Sequence, residues 1–263
     1  MPRQQRILSS TGIYHIMLRG NERKSIFMDN EDRQRFLETM SSKKEEVGFS
    51  LLSFCLMDNH VHLLIREGRE QMSVTMKRIC TSYVHYFNHK YNRIGHLFQD
   101  RFKSVPIEDE RYLLAVVRYI HQNPVKAAIV HAPSDYCWSS YTAYIDRNSN
   151  HNIDTTFVLS IFSDDKTKSV ALFKEFMEQE GTEQFLDVEE EKTRELQNIT
   201  EVTAFLEEYA KGKQIEGGFK YLKNDRKAID EAILELRKRS KLSVRQIAEL
   251  LDINRGMVQR IRS

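Results

Sequence analysis

The sequence predicts an α+β protein: a small antiparallel sheet with helices packed on one face, followed by an all-α extension that ends in a helix-turn-helix. Three observations predict it. Within the first 150 residues, two-residue and helical apolar periods alternate in the order strand, helix, strand, strand, helix, strand, helix. Beyond about residue 150 no clear strand pattern recurs. The last forty or so residues carry amphipathic helices at helix-turn-helix spacing. The expected segments are therefore 1–150, 151–225 and 226–263.

Each element has a local cause. GIYHIMLRG (12–20) alternates as a strand does. DNEDRQRFLETMSSKKEEV (29–47) opens on Asp and carries Phe36, Leu37 and Met40 at helical spacing, and Gly48 marks its stop. FSLLSFCLM (49–57) and HVHLLIRE (60–67) are strand candidates. Asp58-Asn59 between them suits a tight hairpin turn, because both residues tolerate turn conformations. Residues 70–91 read as a long helix on Met72, Met76, Ile79, Val84 and Phe87. GHLFQDRFKSVPIED (95–109) suits a short strand or extended crossing with a proline-bearing edge. ERYLLAVVRYIHQN (110–123) is a helix that Pro124 is expected to close.

Composition narrows the function classes. The chain has 263 residues, 40% hydrophobic and 30% charged, as a soluble globular protein does. No apolar run approaches a membrane span, and MPRQQRILSS lacks a signal-peptide core, so a cytoplasmic, nucleoid-associated location is expected. Cys55, Cys80 and Cys137 lie far apart with no CxxC pair, which argues against a thiolate zinc site or a disulfide framework. Net charge is +2 but uneven. Residues 1–150 hold 21 Lys and Arg against 16 Asp and Glu, 151–225 hold 9 against 17, and 226–263 hold 10 against 5. Two basic segments, each able to meet phosphates, thus flank an acidic one whose DVEEE (187–191) reads as a solvated face or linker.

Two features carry candidate chemistry. His60 and His62 alternate with Val61 and Leu63, so both imidazoles point to one face of their strand. The spacing alone leaves open a half-buried strand with two histidines or a shared metal, which would need a further ligand. In VVRYIHQNPVKA (116–127), Tyr119 and Asn123 lie four residues apart on one helix face. They read either as a core-edge tyrosine before an Asn-Pro stop, or as a tyrosine nucleophile beside an amide oxygen that completes a metal shell. A phenol of pKa about 10 is a poor nucleophile until its electrophile is activated, which a metal on a phosphate does as a Lewis acid.

NHVHLLI, GHLFQDRF and YIHQNPVKA, in this order and spacing and preceded by GIYHIMLRGNER, resemble the single-tyrosine HUH transposases of the IS200-like superfamily. They are most similar to the REP-associated tyrosine transposases, over about residues 10–145. The resemblance implies a ferredoxin-like, RRM-like fold that cuts and rejoins single-stranded DNA hairpins through a 5′-phosphotyrosine, as in DNA transposition. It implies Tyr119 as nucleophile, His60, His62 and Asn123 as ligands of Mg²⁺ or Mn²⁺, and a monomer or homodimer. Asp58 stands where relatives often have Pro, and a tail of over a hundred residues follows where many relatives end.

Other residues are candidates by type. Arg101 and Lys103 could bind phosphates or form a solvated edge. His121 and His96 are alternative ligands or acid–base helpers, and Tyr83, Tyr86 and Tyr91 form a stripe that suits a core better than base stacking. In the tail, Ser243 suits an N-cap, and the helix from about Arg255 carries Arg255, Arg260 and Arg262. That arrangement suits duplex DNA or a plain three-helix packing module. The competing functional reading for the whole chain is a hairpin-DNA-binding or transcription-regulatory protein without turnover.

Overall fold

The apolar periods of the first segment fold in the order in which they occur. In the computed structural model, which describes residues 6–146, 152–179, 185, 196, 199–213, 215, 217–240 and 242–261, seven elements follow one another. They are β1 (Ile13–Arg19), α1 (Asn30–Val47), β2 (Ser50–Leu56), β3 (His60–Arg66), α2 (Met72–Lys90), β4 (Lys103–Ile107) and α3 (Glu110–Lys126). The strands form one antiparallel sheet in the order β2-β3-β1-β4.

The helix ends explain themselves. The Asp29 carboxylate accepts from the Asp32 amide at 2.9 Å, and the Asp32 carboxylate accepts in return from the Asp29 amide, closing a capping box on α1. Gly48 ends α1 at φ 77°, a left-handed angle that glycine takes without a Cβ penalty. Asp109 caps α3 by accepting from Tyr112 N at 2.8 Å. Pro124 does not close α3. The helix runs on to Lys126, and Ala127 N bonds Asn123 O at 3.0 Å. Proline removes only its own N–H from the ladder, and one further turn survives that loss here.

Helices cover both faces of the sheet, not one. Tyr14, Ile16 and Leu18 of β1 and Val61, Leu63 and Ile65 of β3 pack with Phe36 and Met40 of α1 and with Met76, Ile79, Tyr83 and Phe87 of α2. The alternate residues, His15 and His62 among them, meet α3 on the opposite face. The central strands β1 and β3 are buried along nearly their whole length. Such strands need a cover on each side.

The β2–β3 turn is clamped by the chain after β1. Gly20 N donates to Asn59 O at 2.8 Å, and Ile26 N and Phe27 N donate to Asp58 O at 2.8 and 3.1 Å. Asp58 also pairs with the Arg33 guanidinium, which lies 5.5 Å from the Phe27 ring and 5.7 Å from the Trp138 ring. That contact gives the departure from Pro at this position a structural use.

The chain divides into two compact units, 1–183 and 184–263. This differs from the expected boundaries at 150 and 225. In the first unit α4 (Tyr141–Ile145), α5 (Thr155–Ser160) and α6 (Lys166–Glu178) follow α3. Phe173 of α6 is fully buried and stacks on Tyr144 at 4.7 Å and 9°. Arg118 of α3 lies 4.4 Å over the Phe176 ring. These contacts tie residues beyond 150 to the sheet domain.

In the second unit, α7 (Ile199–Gly212), a 3-10 turn (Phe219–Asn224), α8 (Arg226–Arg239), α9 (Val244–Leu250) and α10 (Arg255–Arg260) share one core. Leu206, Leu222, Ile233, Leu236, Ile247 and Val258 fill it. An acidic helix and the basic tail thus pack together within this unit. Ser243 caps α9 in a box with Gln246, and Asn254 caps α10 by accepting from Gly256 N at 2.7 Å. Residues 187–191 and Arg262 lie outside the described residues.

Candidate active site

The site lies between β3 and α3, on the sheet face opposite α1 and α2. Alternation on β3 turns His60 and His62 towards α3, and the helical repeat puts Tyr119 and Asn123 one turn apart facing them. His60 Nε2 lies 3.2 Å from Asn123 Oδ1. The His62 ring meets the Tyr119 ring edge-on with centroids 5.4 Å apart. His60 and His62 themselves are 5.1 Å apart, ring to ring. Tyr119 is only 5% exposed, and Lys126 Nζ lies 5.2 Å over its ring. Four side chains separated by up to sixty-three positions therefore converge.

Three neighbours of this cluster were not singled out in the sequence. His15 of β1 places Nε2 3.1 Å from His62 Nδ1 and packs edge-on against Tyr119 at 6.0 Å. Asn59 Oδ1 lies 2.7 Å from His60 Nδ1. Arg19 stands directly opposite His60 across the β1–β3 ladder, so its side chain starts on the same face. A lone histidine and a turn asparagine give little signal in a sequence. What could have found them is period-two alignment, His15 facing as His62 does, and the contiguity of Asn59 with His60.

The other expected residues divide. Lys103 is exposed and shares a cross-strand row with Met17 and His62, two strand spacings or about 10 Å from the histidine. Arg101 is exposed just before β4, outside the ladder. His96 lies exposed in the loop after α2. His121 turns away from the site. Its Nε2 lies 3.1 Å from Ser53 Oγ and 2.8 Å from Ser140 Oγ, among the rings of Tyr141, Tyr144 and Phe173. Burial pushes its pKa down to about 3, so it stays neutral and structural.

The tyrosine stripe is core. Tyr83 donates to Ile26 O at 2.6 Å, while Tyr86 and Tyr91 donate to the buried Asp32 at 3.2 and 2.9 Å. Arg255 and Arg260 are exposed on α10 in the second unit.

The comparisons bear on the segment that builds this site. The family described as "Transposase IS200 like" matches residues 9–123. Within residues 9–123 the chain is similar to IS200-like transposases. The match spans every residue of the β3–α3 cluster and ends on Asn123. A solved structure titled as a REP-associated tyrosine transposase bound to a REP hairpin is also similar. It has 21% identity and a TM-score of 0.49, over 56% of this chain and 87% of that one. No curated protein matches the chain. Among the described residues, no helix is long and apolar enough to cross a membrane.

Transposases of the IS200-like family are generally metal-dependent. Among the described residues no group of three or more His, Cys, Asp or Glu side chains could hold a metal. The donor set between β3 and α3 is different, two imidazoles and an amide. One donor pair in it has the spacing that an ion asks for. Two neighbouring ligands of an octahedral ion, each about 2.1 Å from it, sit about 3.0 Å apart. His60 Nε2 and Asn123 Oδ1 are 3.2 Å apart.

Proposed function

We propose that the chain is a single-tyrosine transposase that cleaves and rejoins single-stranded hairpin DNA by transesterification. The observation that carries this is the convergence of Tyr119 and Asn123 on His60 and His62, inside the segment that matches the family. His60, His62 and Asn123 would hold a divalent ion, Mg²⁺ or Mn²⁺. When bound, such an ion supplies Lewis-acid polarisation of the scissile phosphate.

The protein's own residues do the rest. Tyr119 Oη attacks phosphorus, a new Tyr–phosphate bond forms, and the bond to the 3′ oxygen breaks. The proton leaves the phenol and the 3′ oxygen gains one. The product is a 5′-phosphotyrosine and a free 3′-OH, and a 3′-OH from another strand reverses the step. Docking of α3 holds the phenol within about one ring width of His62, which supplies orientation rather than chemistry. Arg19 and Lys103 give that side of the sheet positive charge for the DNA backbone, and Arg101, exposed just before β4, adds a further cation in this reading. The ester keeps the energy of the broken bond, so no nucleotide cofactor is required.

The tail adds a second DNA contact in this reading. α9, the turn at Asp252–Asn254 and α10 form a helix-turn-helix with Arg255 and Arg260 exposed for duplex phosphates.

The deciding experiment incubates the full chain and Mn²⁺ with single-stranded hairpin DNA and resolves covalent adducts on a denaturing gel. Wild type gives a protein–DNA band, and Tyr119→Phe binds the hairpin without one. A folded wild type with no adduct on any hairpin, or an adduct from Tyr119→Phe, overturns the chemistry. Hairpin binding without an adduct favours a binding protein without turnover. For the tail, Arg255→Ala with Arg260→Ala lowers duplex affinity and reduces the salt slope by roughly one to two. Unchanged duplex binding removes that part of the reading.

A further inference from the structure

We infer that Asn59 and His15 are positioning residues that fix the tautomers of His60 and His62, and that the Arg23 backbone carbonyl sets the first of them. This rests on the metal-site reading above. The Arg23 carbonyl oxygen can only accept, and Asn59 Nδ2 donates to it at 3.2 Å. The amide oxygen of Asn59 must then face the other way, towards His60 Nδ1 at 2.7 Å. Nε2 also faces an amide oxygen, that of Asn123, but the Asn59 oxygen is the closer of the two and is pinned by Arg23, so the single proton of the neutral ring is assigned to Nδ1. The lone pair of that ring therefore sits on Nε2, the atom that faces Asn123 Oδ1 at 3.2 Å.

The Arg23 carbonyl is itself held in place. Glu22 and Arg23 adopt left-handed angles, φ 52° and 59°. Arg23 N bonds Gly20 O and Lys24 N bonds Asn21 O, each at 3.0 Å, while Gly20 N bonds Asn59 O at 2.8 Å. Loop and turn grip each other by backbone and side chain together. The GNER stretch after β1 thereby acquires a purpose: it orients a metal ligand without touching the metal.

His62 is held from β1. Its Nδ1 lies 3.1 Å from His15 Nε2, and both rings are fully buried. Only one proton fits between the two nitrogens. If His15 Nε2 carried it, neutral His62 would carry its own on Nε2 and could not bind a metal through that atom. Ligation through Nε2 therefore places the shared proton on His62 Nδ1 and makes His15 the Nδ1–H tautomer. Metal-binding histidines ordinarily donate their second N–H to a carboxylate, carbonyl or water. Here an amide and a second imidazole take that place.

The test uses the full chain and Mn²⁺ alone. Nitrogen-15 NMR of the metal-free protein reads the tautomers, and His15, His60 and His62 are all expected as Nδ1–H. Calorimetry reads the affinity. Asn59→Ala and His15→Phe are expected to weaken Mn²⁺ binding roughly 10–100-fold. Asn59→Asp, which keeps an acceptor for His60, and His15→Gln, which keeps one for His62, restore most of it. These two variants and the wild-type spectrum decide the matter if the apolar variants do not fold. An Nε2–H tautomer at His60 or His62 overturns the inference. So does a folded Asn59→Ala that binds Mn²⁺ as tightly as wild type. If wild type binds Mn²⁺ and forms the DNA adduct while those variants are unimpaired, positioning alone falls. If wild type binds no Mn²⁺ and forms no adduct, the metal-site reading falls and takes the inference with it.

Discussion

Replacing Gly20 with alanine tests whether the loop after β1 supports the site. Gly20 has φ −63° and ψ 144°, angles open to any residue, so no conformational strain enters. The obstacle is space. An added Cβ would sit 2.0 Å from Lys24 O, 3.0 Å from Ile26 Cγ2 and 3.1 Å from Lys24 C. Ordinary contact begins near 3.4 Å, so the loop must retreat by about 1.4 Å from its own backbone. A shift of that size stretches Gly20 N to Asn59 O and Asn59 Nδ2 to Arg23 O beyond hydrogen-bond range. Overpacking costs about 1–3 kcal/mol, and each lost bond about 1 more. A total of about 3–5 kcal/mol lowers Tm by about 6–20 °C for a unit of this size. Gly48→Ala is the control. It pays only for its left-handed φ of 77°, with the nearest outside atom at 4.0 Å. Its expected cost is about 1 kcal/mol. Thermal unfolding and Mn²⁺ calorimetry on both variants separate the cases. Gly20→Ala loses both stability and metal affinity, and Gly48→Ala loses a little stability only. A Gly20→Ala protein with wild-type Tm and wild-type Mn²⁺ affinity would refute the reasoning.

Four further outcomes follow from the packing and the charges. Phe173→Ala removes a fully buried ring stacked on Tyr144 and should cost about 3–5 kcal/mol in urea unfolding. A chain ended at 150 should unfold at lower temperature than one ended at 183, and equal midpoints would contradict the unit boundary. His121 supplies a pH dependence. Its folded pKa is depressed to about 3 while the unfolded chain protonates near 6.5. Its contribution is thus complete above pH 6.5 and falls by about 1.4 kcal/mol per unit as pH drops from there towards 3. Urea midpoints at pH 7.5 and 5.5 should diverge more for wild type than for His121→Gln, and parallel profiles count against the assignment. Tyr83→Phe leaves the buried Ile26 carbonyl without its phenol donor and should lower stability by about 1–2 kcal/mol by chemical denaturation.

The β2–β3 hairpin was readable because its apolar alternation is interrupted by two turn-forming residues. What Asp58 does was not, since its partner Arg33 lies twenty-five positions away in another helix. The cover by α3 was harder to read. Runs such as HVHLLIR are apolar enough for burial on two sides, yet the histidines mimic the polar half of a one-sided strand. The same histidines were recognisable as chemistry only through YIHQN, because their spacing fits a plain strand equally well. His15 and Asn59 escaped because each owes its role to one atom of a neighbour. The boundary at 183 escaped because an acidic average conceals Val158, Phe173 and Met177, which are buried.

The divided origin of the site has a consequence for the newly made chain. Both imidazoles lie on a strand that ends at Arg66, whereas the phenol and the amide lie on a helix that begins at Glu110. Chains are synthesised from the N-terminus and domains fold as units. A ribosome-bound intermediate that has finished the hairpin therefore holds two of the three proposed ligands and not the proposed nucleophile. On the proposed function, the capacity to cut arises in one late event, when α3 docks and buries Tyr119. A chain cut short before α3 would lack that proposed activity altogether.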